Sequence, residues 1–158
     1  MTDAVIKKVK FDGDALHVFL EGVDDDAERK TMVKSLGRVH PDLIGALQAL
    51  EPHVRHFLSL PPDWASNAFS VRSVSFSKSE KKGEDGIVIS CSAELSNCKA
   101  PFFFNTPYLP VERHTEAGDV AEMSDEAIEA LGTLKAEVDA YLEGKRAQGE
   151  LSLEGAAA

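Results

Sequence analysis

Between residues 87 and 95 the chain alternates without a slip, with Ile87, Ile89, Cys91, Ala93 and Leu95 on one side and Val88, Ser90, Ser92 and Glu94 on the other. A period of two marks a strand buried on one face, because a helix would scatter the same residues around its circumference. Such a strand cannot stand alone. It needs neighbours in a sheet and a second layer over its apolar side.

The neighbours can be read from the same pattern. Residues 69–77 form a second strand, in which the apolar phase switches between Val71 and Val74; a bulge near Arg72 and Ser73 accounts for the switch. A charged loop over 78–86 joins the two strands. Near the start, Val5, Lys7, Val9 and Phe11 alternate with Ile6, Lys8 and Lys10, Asp12-Gly13 supplies a turn, and Leu16, Val18 and Leu20 resume the pattern. These residues predict a hairpin. A third strand is expected over 29–36, with Met32 and Leu36 facing inward and Gly37 ending it. Residues 100–104 read as extended, since Pro101 opens the segment and three consecutive phenylalanines suit burial on both faces or a place at an edge. Asn105-Thr106-Pro107 closes it.

The covering layer comes from two helical stripes. Pro41 in His40-Pro41-Asp42-Leu43 suits a first helical turn, where its missing N–H would have had no partner. Leu43, Leu47, Leu50, Val54 and Phe57 then recur three or four apart, and the stripe keeps its phase across Pro52, which predicts one kinked helix. The last helix is expected from Ser124 as N-cap, with Asp125 and Glu126 at its positive end, burying Ile128, Leu131, Leu134, Val138 and Tyr141 before Gly144 ends it. The reading is an α+β domain over residues 1–143, an antiparallel sheet of about five strands packed by two long helices, followed by a flexible tail over 144–158.

Charge divides this chain unequally. Of its 158 residues, the first 111 hold 13 bases and 15 acids, whereas residues 112–158 hold 4 bases and 12 acids. Most of the net charge of -10 therefore belongs to the last third, and screening over about 10 Å leaves room for basic patches on a nearly neutral body. No apolar run approaches the roughly 20 residues of a bilayer span, and Met1-Thr2-Asp3-Ala4 lacks the basic-then-apolar pattern of a signal peptide. A cytoplasmic protein with no membrane partner is expected. Cys91 and Cys98 are too few for a disulfide scaffold and too far apart for a Cys-x-x-Cys site.

Catalytic chemistry has little to stand on. No serine lies in a Gly-x-Ser-x-Gly elbow and no glycine loop cradles a phosphate, so a non-enzymatic protein with neither cofactor nor metal is expected. His53 and His56, spaced i, i+3, would be the ligands of a metal-dependent hydrolase, but no His-Glu-x-x-His run accompanies them. The basic residues are more informative. Lys7, Lys8, Lys10, Arg29, Lys30, Lys34 and Arg72 all fall on predicted strands, and Phe19, Phe76 and Trp64 could stack beside them. Single-stranded DNA calls for this combination, because phosphates take lysine or arginine and bases stack on aromatic faces. The opposite use of charge is an acidic inhibitor or DNA mimic presenting Glu126, Glu129, Glu137 and Asp139 to a host protein. Self-association into a homo-oligomer is compatible with all of these readings.

The tail, Lys145-Arg146-Ala147-Gln148-Gly149-Glu150-Leu151-Ser152-Leu153, resembles the short peptide by which many bacterial replication and repair proteins dock on the sliding clamp. That resemblance implies that Gln148 anchors by its amide and that Leu151 and Leu153 fill an apolar groove, although Gly149 and Leu153 stand where the strongest such peptides carry leucine and phenylalanine. The blocks His40-Pro41-Asp42-Leu43, Asn105-Thr106-Pro107-Tyr108-Leu109-Pro110 and Gly144-Lys145-Arg146-Ala147-Gln148-Gly149 resemble small acidic uncharacterised proteins of tailed phages and prophages. This likeness implies a phage accessory protein of DNA replication or recombination in the host cytoplasm, and it implies no catalytic residues.

Overall fold

A computed structural model describes residues 5–11, 15–24, 27–35, 39–61, 63–65, 69–79, 84–115, 118–121 and 123–144. Three strands open the chain, β1 (Val5–Phe11), β2 (Leu16–Asp24) and β3 (Ala27–Ser35), and two short helices follow, α1 (Pro41–Gln48) and α2 (Glu51–Phe57). Then come β4 (Ser70–Ser79), β5 (Glu84–Ala93), β6 (Phe102–Asn105), β7 (Leu109–Thr115), β8 (Gly118–Ala121) and α3 (Asp125–Leu142). The sheet runs β3-β2-β1-β4-β5-β7-β8, with β6 also on β5, and its pairings are antiparallel. The α+β class and the antiparallel sheet are as the sequence predicts. The tail residues Gln148, Leu151 and Leu153, and Leu36 of the third predicted strand, lie outside the described residues.

More strands form than the five expected. The additional ones come from residues 109–121, beyond the stop expected at Asn105-Thr106-Pro107 and with a further proline, Pro110, inside the first of them. In the fold, β6 and β7 lie end to end along one edge of β5: Ala93 to Ser90 pair with Phe102 to Asn105, and Ile87 to Glu84 with Leu109 to Arg113. Thr106 fills the junction, its N–H donating to the Ile89 carbonyl at 2.9 Å and its hydroxyl oxygen accepting from the Ile89 N–H at 3.0 Å. The ladder absorbs both prolines through that junction and a register shift between Asp85 and Gly86. Here Tyr108 lies over Gly86, leaving no room for a Cβ.

The first predicted helix is two helices. Pro52 has no N–H for the Gln48 carbonyl, so α1 ends and α2 restarts with Leu50 as its N-cap and Pro52 in its first turn. Leu43, Leu47, Leu50 and Val54 are buried nonetheless. At the start of α1 the His40 Nδ1 accepts the Asp42 N–H at 3.0 Å, a capping role held by the ring. Ser124 caps α3, its hydroxyl accepting the Ala127 N–H at 3.3 Å, and Leu131, Leu134, Val138 and Tyr141 are buried along one stripe.

Two polar clamps fix the helical layer to the sheet. β1 reaches β4 only at Ser73 to Ser75, so Val71 has no strand on that side. The Gln48 carboxamide takes the strand's place: it donates to the Val71 carbonyl at 2.8 Å and accepts the Val71 N–H at 3.0 Å. Arg55 donates to the Pro61 and Trp64 carbonyls at 3.2 and 2.6 Å, pairs with Glu51, and lies 4.6 Å from the Phe69 ring centroid. That guanidinium ties the loop after α2 to an edge-to-face cluster of Trp64, Phe69 and Phe104.

The predicted bulge is present, a register shift between Val71 and Ser73. A second one, between Ile6 and Lys8, overturns the expected phase of β1: Ile6 and Val9 are buried and Val5 is 57% exposed. In β3 the inward residue is Val33, paired with Val18, whereas Met32 is 53% exposed on the opposite face beside Phe19. Residues 102–104 take the edge position rather than burial on both faces: β6 pairs with β5 alone among the described strands, and Phe104 joins the core, leaving Phe102 and Phe103 exposed.

Cys91 is buried near the C-terminal end of β5, and its thiol is pushed up from the ordinary 9.0 to about 12, mainly by burial and secondarily by the Glu51 charge. A raised pKa stabilises the fold fully below the unfolded value, and that contribution fades as pH climbs from about 9 toward 12. Denaturant midpoints at pH 8 and pH 10.5 should accordingly fall less for Cys91→Val than for the parent. A thiol reagent at pH 8 should modify the exposed Cys98 and spare Cys91 until the chain unfolds.

Candidate nucleic-acid interface

All three helices lie on one side of the sheet, the side to which Val9, Val18, Val74 and Ile89 point. Because successive residues of a strand face opposite ways, the residues between them share the other, helix-free face. The pairing register then builds the surface row by row. One row runs Met32, Phe19, Lys8, Ser75, Val88 across β3, β2, β1, β4 and β5. The next, two residues along each strand, runs Lys34, His17, Lys10, Ser73, Ser90, Asn105. With strands about 4.8 Å apart, the second row extends roughly 24 Å.

Cations and rings interleave on this face. The Lys8 Nζ lies 5.9 Å from the Phe19 centroid, and the Arg72 Cζ lies 5.4 Å from the centroid of Phe103, which is 60% exposed. Arg72 reaches the face through the β4 bulge, and Phe103 reaches it from β6, opposite Ser92. Lys30 stands opposite Glu21 in the β2–β3 ladder, and Glu28 follows on the same side of β3, so this corner carries acids as well as a cation. Between the two basic regions β4 and β5 carry small hydroxylated side chains, of which Ser75 and Ser90 are half-buried, whereas Ser73 and Ser92 are buried. Such a surface offers charge-assisted contacts to phosphates, hydroxyl donors, and open π-faces to bases.

The structure thus brings together Lys8, Lys10, Lys30, Lys34 and Arg72. It places the other two differently. Arg29 alternates with Lys30 on β3 and so lies on the opposite side of the strand, and Lys7 occupies the β1 bulge at the margin of the face, where it lines both a small pocket with Phe19, Lys30 and Met32 and a cleft under α3. Of the predicted stacking residues only Phe19 belongs to this face. Trp64 and Phe76 pack on the helix side, against the aromatic cluster and beneath Lys135 respectively. Phe103 was missed by sequence reasoning, although strand alternation within the phenylalanine run, with Phe104 turned inward, identifies it.

The acids of the last helix lie elsewhere. Asp125, Glu126, Glu129, Asp139 and Glu143 are exposed on α3, in the layer that covers the other side of the sheet. His53 and His56 lie on α2, and among the described residues no group of three or more His, Cys, Asp or Glu side chains is arranged to hold a metal ion. No described helix is long and apolar enough to cross a membrane. No family model, curated protein or solved structure matches this chain.

Proposed function

We propose that the protein binds single-stranded DNA on the helix-free face of its sheet, as a non-enzymatic accessory protein of phage DNA metabolism. The observation that carries this reading is the interleaving of Lys8, Lys10, Lys34 and Arg72 with Phe19 and Phe103 on one open surface. Phosphates are drawn to the cations, and unpaired bases stack on the rings at about 1–3 kcal/mol each. A duplex hides its base faces and gains only the phosphate contacts. Segregating the acids of α3 to the other layer keeps them from repelling the strand. Fluorescence anisotropy with a labelled oligothymidine and with a duplex of equal length tests the proposal. Tighter binding of the single strand, weakening steeply with salt, is the expected result; equal binding of both, or binding of neither, overturns it.

The tail extends the proposal to recruitment. If Gln148, Leu151 and Leu153 dock on a bacterial sliding clamp, a peptide of residues 145–155 should bind it at micromolar strength, about -8 kcal/mol. Replacing both leucines by alanine in the full chain should abolish clamp binding with the melting temperature unchanged. A lowered melting temperature in a chain whose parent ignores the clamp would assign the leucines to the fold instead.

The exposed acids on the first turns of α3 favour one other reading, an acidic inhibitor occupying a host protein's DNA site. In that case the oligonucleotide is not bound, and a host DNA-binding protein is retained in a salt-sensitive way that Glu126→Lys and Glu129→Lys abolish.

A further inference from the structure

A cleft of about 520 Å³ opens on the helix side of the sheet, between α3 and the strands β1, β4, β5 and β7. Its walls are apolar, formed by Ile6, Phe76, Ile87, Val111, Ile128 and Leu131. Its volume lies within the range of about 300–1,000 Å³ that accommodates small organic ligands.

Two further features define what would fit. Gly132, in the middle of α3, lines the cleft, and a Cβ built there meets no atom within 4 Å. A glycine inside a helix is less favourable than alanine, and here no neighbouring element presses on it. What its missing side chain does is leave the cleft wide. The charged lining residues are Lys7 and Lys135, with no acid among the described residues that line it. The Lys135 Nζ lies 4.6 Å from the centroid of Phe76, itself a wall residue, so a positive charge sits directly against the apolar lining.

We propose that this cleft binds a single-chain amphiphile with an anionic head, the alkyl chain lying along the apolar walls and Gly132, and the head meeting Lys7 and Lys135. Water leaves the apolar walls when the chain enters, and the carboxylate meets two cations beside which no described lining residue is an acid. The site is on the opposite side of the sheet from the proposed DNA face and stands independently of it.

The test uses decanoate and decyltrimethylammonium, both below their critical micelle concentrations, with the full-length protein and isothermal titration calorimetry. Decanoate should bind saturably at one site per chain and at least tenfold more tightly than the cationic analogue. Gly132→Leu, which projects a side chain into the cleft, should remove the binding with the far-ultraviolet spectrum unchanged. Lys135→Glu should reverse the preference between the two probes without filling the cleft, and it tests the proposal even should the leucine variant fail to fold. Equal binding of both probes, no saturable binding, or decanoate binding that survives Gly132→Leu overturns the proposal. So does a Leu151→Ala/Leu153→Ala chain that gains decanoate binding its parent lacks, because the chain's own tail would then be the occupant.

Discussion

Changing Lys8, Lys10, Lys34 and Arg72 together to glutamate is expected to abolish measurable binding of single-stranded DNA and leave the folded state intact. The four side chains come from three strands but converge on one helix-free surface. Each phosphate contact on a single strand adds about 0.7 to the slope of log K against log salt. Neutral variants at all four should therefore flatten that slope by about 3 units, and reversed charges add repulsion. Phe103→Ala should behave differently. It removes a stacking platform, so it should weaken binding by about 1–3 kcal/mol with the salt slope unchanged. Substitutions on a solvated face cost the fold about 0.5 kcal/mol each, so circular dichroism of the quadruple variant should match the parent. A quadruple variant that binds oligothymidine as the parent does would remove this face from consideration.

The second large effect is on stability. Leu134→Ala should lower the unfolding free energy by about 2–5 kcal/mol, because Leu134 is fully buried and the lost methyl groups leave a cavity that the neighbours fill only partly. Its stripe on α3 packs on α1, which in turn packs on β4, and all belong to one core cluster. For a domain of this size the loss corresponds to a melting temperature lower by about 5–20 °C. Urea titration should show a reduced midpoint at constant slope. Met32→Ala is the matched control, since Met32 is exposed and the change should stay within about 0.5 kcal/mol. If the two variants melt together, α3 does not cover the sheet as described.

Where the sequence and the fold agree, a single periodicity fits the residues. β5 alternates in one phase from Ile87 to Ala93 and is a strand with that phase buried. The β4 bulge was legible because Val71 and Val74 cannot share a face in an unbroken strand. The β1 bulge was not, because Val5, Lys7, Val9 and Phe11 already satisfy an unbroken alternation and nothing local marks the shift between Ile6 and Lys8. Cross-strand partners decide it, and a one-residue shift moves every later side chain to the other face. The same applies to β3, where pairing of Val33 with Val18 turns Met32 outward. β7 follows Pro107 and contains Pro110, and prolines are poor strand residues in general; only the interrupted ladder on β5 makes room for these. For the candidate site, the lysines of β1 and β3 were legible as alternating residues. The absence of Arg29 and the presence of Phe103 followed from phase, which tertiary pairing fixes.

The pairing of β1 with β4 has a consequence for how the surface assembles. It consists of three residue pairs, Lys8 with Ser75, Val9 with Val74 and Lys10 with Ser73, and it joins two groups of strands that otherwise pair with near neighbours in sequence. Hairpins close within microseconds, whereas contacts between distant parts of a chain wait on a larger loss of loop entropy. The meander β1–β2–β3 and the hairpin β4–β5 can therefore form early as separate halves. One half carries Lys8, Lys10, Lys34 and Phe19, and the other carries Arg72 with Phe103 docking on it through β6. Until the three-pair seam closes, neither half holds the full set, so closing that seam is also the event that assembles the proposed binding face.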